Sequence, residues 1–497
     1  MEPRIAFIIL LMLTGALMSS CQTTTDRDPA GTPAAPSEST LAPSAALTHA
    51  EATDLMFALT GADVVKAQDA LSRIVTARDE RFVGVLIELL RAHGIGLWRG
   101  VSSRELIDAL HALSGQSFGW DWPGWVEWYG GAGLSVPPGF TGWKGQLLSG
   151  IDPRFGEFLR DEFPSRIRVE EIQWGGVQVD GIPALINARM IPAVEAAYLE
   201  PGEPVFGVAI NGDARAYPLR ILDWHEMAND VVGGVPVSLA YCTLCGAGIA
   251  YDGRASDGHT YTFGSSGFLF RSNKLMYDHQ TRTLWNQLTG EPVLGPLAAT
   301  DVKLNLLPMV LTTWDQWKMQ RPDTRVLDVN TGYQRPYVVG AAYGDYFSAP
   351  DTMFPVWQRS QALPPKARVY ALNINDAPKA YPVDVLAKRR VVNDEVGGTP
   401  VVLVATRGMV TVEGLSRRIG PVTYDAGGEV RAYDRGEWTF TPGLDADTVI
   451  DAEGHTWQIA EEALISLDGE IAPRINGHLA YWFGWYAFFP QTLLYEP

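Results

Sequence analysis

VFGVAINGDARAYPLRILDWHEMANDVVGGVPVSLAYCTLCGAGIAYD, Val205 to Asp252, holds the one C-x-x-C pair of the chain, Cys242 and Cys245, and it occurs twice. Slid without a gap onto Val369 it reads VYALNINDAPKAYPVDVLAKRRVVNDEVGGTPVVLVATRGM, so the body of the protein is an internal duplication. Ala-Tyr-Pro (216 to 218, 380 to 382), Asn-Asp (229 and 230, 393 and 394) and Gly-Gly-x-Pro-Val (233 to 237, 397 to 401) survive in both copies and read as scaffold. His225, Glu226, Cys242 and Cys245 belong to the first copy alone; Arg389, Arg390, Thr406 and Met409 stand at the matching places. Residues freed from a shared structural duty can serve a task, which makes these four the site candidates.

The local pattern around them is one of short antiparallel strands. Asn211-Gly212 is a two-residue hairpin signal, because both turn positions want positive φ. Pro218 suits the start of a helix, expected over Leu219 to Met227. Gly233-Gly234 then turns the chain into VPVSLAY, whose end is expected to present Cys242 as an exposed, reactive pair with Cys245. Further on, Gly264 to Gly267 reads as a tight turn, and Lys274 to Asp278 with Thr283 to Gln287 as a hairpin. In the second copy VIDAEGHTWQI echoes that hairpin, with Asp451 and Trp457 answering Asp278 and Trp285. The stretch Ala480 to Pro490 is apolar enough for a buried strand and too short to cross a membrane.

Upstream the chain changes character. Arg4, an apolar run from Ile5 to about Met18 and the small residues before Cys21 have the layout of an export signal. The stretch LMSSC resembles the lipobox of bacterial lipoproteins, which implies an acylated Cys21 and, with Gln22 following it, sorting to the outer membrane on the periplasmic side. Residues 22 to about 50 are rich in Thr, Pro, Ala and Ser and form a tether. From Ala52 the apolar residues recur at helical spacing, and ALHALSGQSFGWDWPGWVEWYGG resembles the ends of HEAT-type repeats. Its Trp and Tyr cluster, Trp120 to Tyr129, reads as packing before it reads as a carbohydrate platform.

The expected fold is therefore α+β: an internally duplicated domain rich in short antiparallel strands, preceded by a small all-α region. Its layout is a signal peptide over 1–20, a tether over 21–50, a HEAT-like helical spacer over 51–135, the first copy over 165–300, a connecting segment over 301–365 and a degenerate second copy over 366–497.

The formal charge of -18 over 497 residues argues against nucleic acid as a partner, since phosphate neutralisation needs clustered Lys and Arg. Contact with a membrane is expected through the lipid anchor only, leaving a small molecule or an envelope protein as the partner. Three cysteines are too few for a disulfide-stapled scaffold. No G-x-S-x-G, phosphate loop, dinucleotide fingerprint or H-E-x-x-H is present.

The motifs VDGIPAL, INGDARAYPLRIL, WHEMANDVVGG, PVSLAYCTLC, TFGSSG, LMYDHQTRTLWNQLTGE and WFGWYAFFP resemble the bacterial domain-of-unknown-function 3179 family over roughly residues 168 to 497. The resemblance implies a domain without an assigned reaction. This chain has Thr243 where the family has Pro between its cysteines, and His279 where it has Arg.

Three readings of the pair stay open. In thiol-disulfide exchange Cys242 attacks, Cys245 resolves, His225 or Glu226 moves a proton, and no cofactor is required. In metal binding Cys242, Cys245 and His225 hold a soft ion such as copper, with His279 or His259 as possible additions. In the third the pair is a structural disulfide of a non-enzymatic envelope protein. Trp224, Arg271, Asp278 and Trp285 are expected to line a cleft beside the pair and bind its ligand.

Overall fold

The computed structural model describes residues 46–496, so the export signal, Cys21 and most of the tether lie outside the described residues. The described chain is α+β as expected: a helical N-terminal part followed by strands that pair mostly antiparallel.

The helices begin at His49–Thr60, where Thr48 and Glu51 form a capping box, and a second such box, Ser102 with Glu105, opens Ser103–Ser114. They do not stop near residue 135. Phe140–Leu148 and Phe155–Phe158 continue the helical part, and its core residues Leu86, Trp125, Trp143 and Phe158 pack in one cluster with Ile172, Phe268, Phe270 and Tyr277 of the following sheet. A shared core makes this part an integral wall of the body; a spacer would have a core of its own.

The two copies fold alike, down to single hydrogen bonds. Asn211 and Gly212 (φ 49° and 81°) turn Pro204–Ile210 into Asp213–Pro218, as Asn375 and Asp376 (φ 52° and 59°) turn Arg368–Ile374 into Ala377–Pro382. Tyr217 Oη donates to Asp230 at 2.7 Å and Tyr381 Oη to Asp394 at 2.8 Å. A Cβ on Gly233 would stand 2.1 Å from Ile210 O, and one on Gly397 2.1 Å from Ile374 O, so the preserved glycines are steric necessities.

The copies are not separate bodies. The strand His478–Tyr481 lies between Ala247–Asp252 of the first copy and Arg368–Ile374 of the second, joining both into one eight-stranded sheet.

Two local expectations are corrected. Gly264 to Gly267 is part of the buried strand Phe263–Phe270, with the positive φ of Gly267 (81°) absorbed inside it. Only His478–Tyr481 of the C-terminal apolar stretch is strand; Trp482–Tyr486 turns into a short helix whose indoles are buried in the core. No helix among the described residues is long and apolar enough to cross a membrane.

Candidate functional site

Strand Val235–Cys242 pairs with Met227–Val232 on one side and Ala247–Asp252 on the other, with Cys242 opposite Ala247. The C-x-x-C therefore forms the tight turn between two strands. Gly246 closes it with φ 57°, and a Cβ there would strike the Arg368 guanidinium at 2.0 Å, which instead donates to Gly246 O at 2.9 Å.

Three further elements cover the turn. The hairpin joining Phe263–Phe270 to Asn273–Asp278 bends at Arg271 and Ser272, both with positive φ. Its Ser272 carbonyl accepts from Cys245 Sγ at 3.3 Å. From the connecting segment come Tyr343 and Tyr346, the latter donating to Leu244 O at 2.6 Å. Gly484 of the C-terminal helix has no room for a side chain, because Cys245 Cβ is 3.0 Å from where its Cβ would be. As a result Cys242 is 1% and Cys245 0% exposed, which corrects the expectation of an exposed pair.

Cys242 and Cys245 stand 3.4 Å apart and are not bonded to each other. Burial alone would raise the Cys242 thiol, but hydrogen bonding from Cys245 and from the Lys274 and Cys245 backbone amides outweighs it and holds Cys242 below the ordinary thiol range. Burial and the adjacent Cys242 push Cys245 well above that range. The two thiols are thus shifted in opposite directions, Cys242 down and Cys245 up.

Glu226 belongs to this site. It ends the helix Leu219–His225 in a left-handed conformation (φ 54°), which swings its carboxylate back under the turn. There Thr243 Oγ1 donates to it at 3.0 Å, Tyr343 Oη at 3.4 Å, and Lys274 Nζ stands 3.4 Å away. Glu226 and Lys274 are 6% and 3% exposed, so this is a buried ion pair.

His225 is held elsewhere. Its Nδ1 donates to Pro183 O at 2.8 Å, its Nε2 accepts from Tyr337 Oη at 2.6 Å, and burial lowers it to about 4. Both ring nitrogens are occupied and neither bond leads to the sulfurs, so the expected set of Cys242, Cys245 and His225 is not assembled. His259 pairs with Asp257 at 3.2 Å on the surface and His279 is exposed beside Tyr277. Among the described residues the metal-type cluster is Asp451, Glu453 and His455, in a turn of the second copy.

The remaining candidates have structural partners. Arg271 bonds Glu171 at 2.7 Å and Ala487 O at 2.7 Å. Trp285 Nε1 donates to Asp278 at 2.9 Å, and Trp457 Nε1 donates to Asp451 at 2.9 Å, so that pair closes the same turn in both copies and is not a ligand cleft. Trp224 is half-buried and its Nε1 has no partner.

Sequence reasoning missed Lys274, Tyr343 and Asp223. Asp223 is 4% exposed, its Oδ1 has no hydrogen-bond partner, and burial together with Glu226 pushes its carboxyl well above the ordinary range. A signal for it was present: the second copy has Ala387 at that place.

A family described as "Protein of unknown function (DUF3179)" matches residues 179–492, and the chain belongs to it. No curated protein and no solved structure matches the chain.

Proposed function

We propose that the Cys242–Cys245 pair carries out thiol-disulfide exchange. The observation that carries this reading is two unbonded sulfurs 3.4 Å apart, enclosed with the Glu226–Lys274 pair in the one copy that has all four residues. The Cys242 thiolate attacks one sulfur of an incoming disulfide, whose S–S bond breaks to release a first thiolate. Cys245 then gives up its proton and attacks Cys242 in the mixed disulfide, releasing the second. The protein ends with one disulfide, the substrate with two thiols, and two electrons have moved. Glu226, bonded to Thr243 inside the turn, is the group that relays the Cys245 proton.

Both sulfurs are covered, so exchange requires the segment bearing Tyr343 and Tyr346 to open. That cost favours a small disulfide, or a partner that displaces the segment. The test is equilibration of the purified protein in glutathione buffers of graded potential, followed by alkylation and mass measurement. A single two-electron transition, absent in Cys242→Ser, supports the reading; thiols that stay reduced and unreactive until the protein unfolds refute it and favour a binding or structural role.

Copper(I) binding is the second reading, favoured by two sulfurs side by side in one turn, since thiolates suit a soft ion. Competition with a chromophoric copper(I) chelator tests it.

Both readings include an envelope location, supported by the lipobox-like LMSSC. Incorporation of labelled palmitate that is lost in Cys21→Ala tests that anchor.

A further inference from the structure

Where the first copy makes its C-x-x-C turn, the second puts the same two strands to another use. Tyr241 pairs with Gly248, and its counterpart Ala405 pairs with Val430. The first copy joins these partners through Cys242 to Ala247. The second continues along Thr399–Ser416, turns at Arg417 to Ile419 and comes back along Gly420–Asp434. Beyond Ala405 and Val430 these strands pair, among the described residues, only with each other, so they form an arm at the place of the C-x-x-C turn. The register slips between Ala405 and Met409 and again between Val410 and Thr411, and such irregularities bend a strand pair.

The arm lies against the segment that covers the sulfurs. Leu415 N donates to Val339 O at 2.8 Å, Arg418 bonds Asp345 at 2.9 Å, and the Tyr424 and Phe347 rings stand 4.9 Å apart. Side chains alternate as in a strand covered on one face: Val412, Val422 and Tyr424 are buried, and Thr411, Glu413 and Leu415 are exposed. Two glycines let the backbones touch. A Cβ on Gly414 would stand 2.8 Å from Val339 O, and one on Gly344 2.9 Å from Val422 Cγ2.

The arm is also tied to the C-x-x-C turn itself. Arg368, whose first-copy counterpart is Pro204, donates through Nε and Nη2 to Asp425 O, both at 3.0 Å, and through Nη1 to Gly246 O at 2.9 Å. Other holds on the covering segment are Tyr346 Oη on Leu244 O, Tyr343 Oη on Glu226, and Lys366 Nζ on the carbonyls of Tyr346 and Ala349. The free energy of a local opening is set by the contacts that must break, and the arm supplies them from Val339 to Phe347.

We infer that the arm is a strap: it holds the segment bearing Tyr343 and Tyr346 closed over the C-x-x-C turn, so the copy that lacks the thiols gates access to the copy that has them. As a control on thiol-disulfide exchange this rests on the reading proposed above; as a control on access it stands alone. Slackening the strap should admit a small reagent while the body stays folded.

The experiment is native-state alkylation of the reduced full-length protein with iodoacetamide, with modification of Cys242 and Cys245 followed by peptide mass spectrometry in urea up to about 1 M. Gly414→Val wedges Val339 away from the arm, and Val422→Ala removes the contact with Gly344. Each should raise the rate at least tenfold, with a urea dependence shallower than that of global unfolding, because local opening exposes little surface. Val422→Ala covers the case in which Gly414→Val does not fold, and Arg417→Ala, at the exposed turn of the arm, should leave the rate unchanged. Wild-type rates in the folded strap variants overturn the inference, as does a rise that carries the full urea dependence of unfolding. Alkylation reports access and glutathione equilibration reports exchange. Faster alkylation without a two-electron transition therefore upholds the strap and refutes exchange, and a transition with unchanged alkylation does the reverse.

Discussion

Glu226 and Arg390 hold the same place in the two copies. Each ends its helix with positive φ, 54° and 65°, and each offers its carbonyl to the corresponding strand, Tyr241 N and Ala405 N, both at 2.8 Å. The backbone is the same and the side chains diverge. Arg390 reaches out to Asp445 O at 2.8 Å, whereas Glu226 folds under the C-x-x-C turn to face Lys274 at 3.4 Å.

That divergence predicts a coupled effect on stability. Lys274→Met leaves a buried carboxylate and Glu226→Gln a buried ammonium, and breaking one side of such a pair costs about 3–5 kcal/mol. The double variant should regain more than half of the loss in melting temperature. Additive losses in scanning calorimetry would show that the two side chains are not coupled.

The opposite shifts of the two thiols predict a difference between two replacements of Cys245. The Cys245 hydrogen bond and two backbone amides are what hold Cys242 low against burial. Cys245→Ser keeps a donor and should leave the Cys242 thiolate absorbance titrating near its wild-type midpoint. Cys245→Ala removes the donor and should move that midpoint up. Identical titrations would mean that the backbone amides alone set it.

Two buried histidines predict loss of stability in acid. His225 and His478 are both lowered to about 4 by burial, against an ordinary value near 6.5. Between those values the unfolded chain binds protons that the folded chain does not, so stability falls as pH drops through the window and is fully present above it. Each group accounts for on the order of 3 kcal/mol across the whole window. Melting temperature should decline from pH 7.5 to pH 5, and His225→Gln should remove about half of the decline.

Comparison of the copies in the sequence selected Cys242, Cys245 and Glu226, which the fold brings together in one buried turn; each is replaced in the second copy, by Thr406, Met409 and Arg390. The same comparison selected His225 for a poor reason. Its counterpart Arg389 is exposed, and His225 is buried only because Pro183 and Tyr337 cover it, a long-range fact that no local pattern carries. Lys274 and Tyr343 lie beyond the gap-free block, so there was no counterpart to compare them with. Burial of the sulfurs was equally illegible, since Ser272, Tyr346 and Gly484 arrive from three distant stretches. The antiparallel strands and their turns were legible because Asn-Gly and Gly-Gly specify positive φ locally.

The repeated indole-carboxylate bond yields a prediction that separates scaffold from site. Asp278 also accepts from Thr281 Oγ1 at 2.7 Å and from Thr283 N at 3.2 Å, and Asp451 from His455 N at 2.8 Å, so each carboxylate ties its own turn to its own tryptophan. Asp278→Ala and Asp451→Ala should each strand a buried Trp N–H and destabilise the fold by about 1–3 kcal/mol. Neither should alter the redox midpoint of the Cys242–Cys245 pair measured below the melting transition. A midpoint shifted by Asp278→Ala and not by Asp451→Ala would return Asp278 to the candidate site. Equal destabilisation with an unmoved midpoint fixes both as parts of the duplicated frame, leaving the difference between copies to the thiols, Asp223, Glu226 and Lys274.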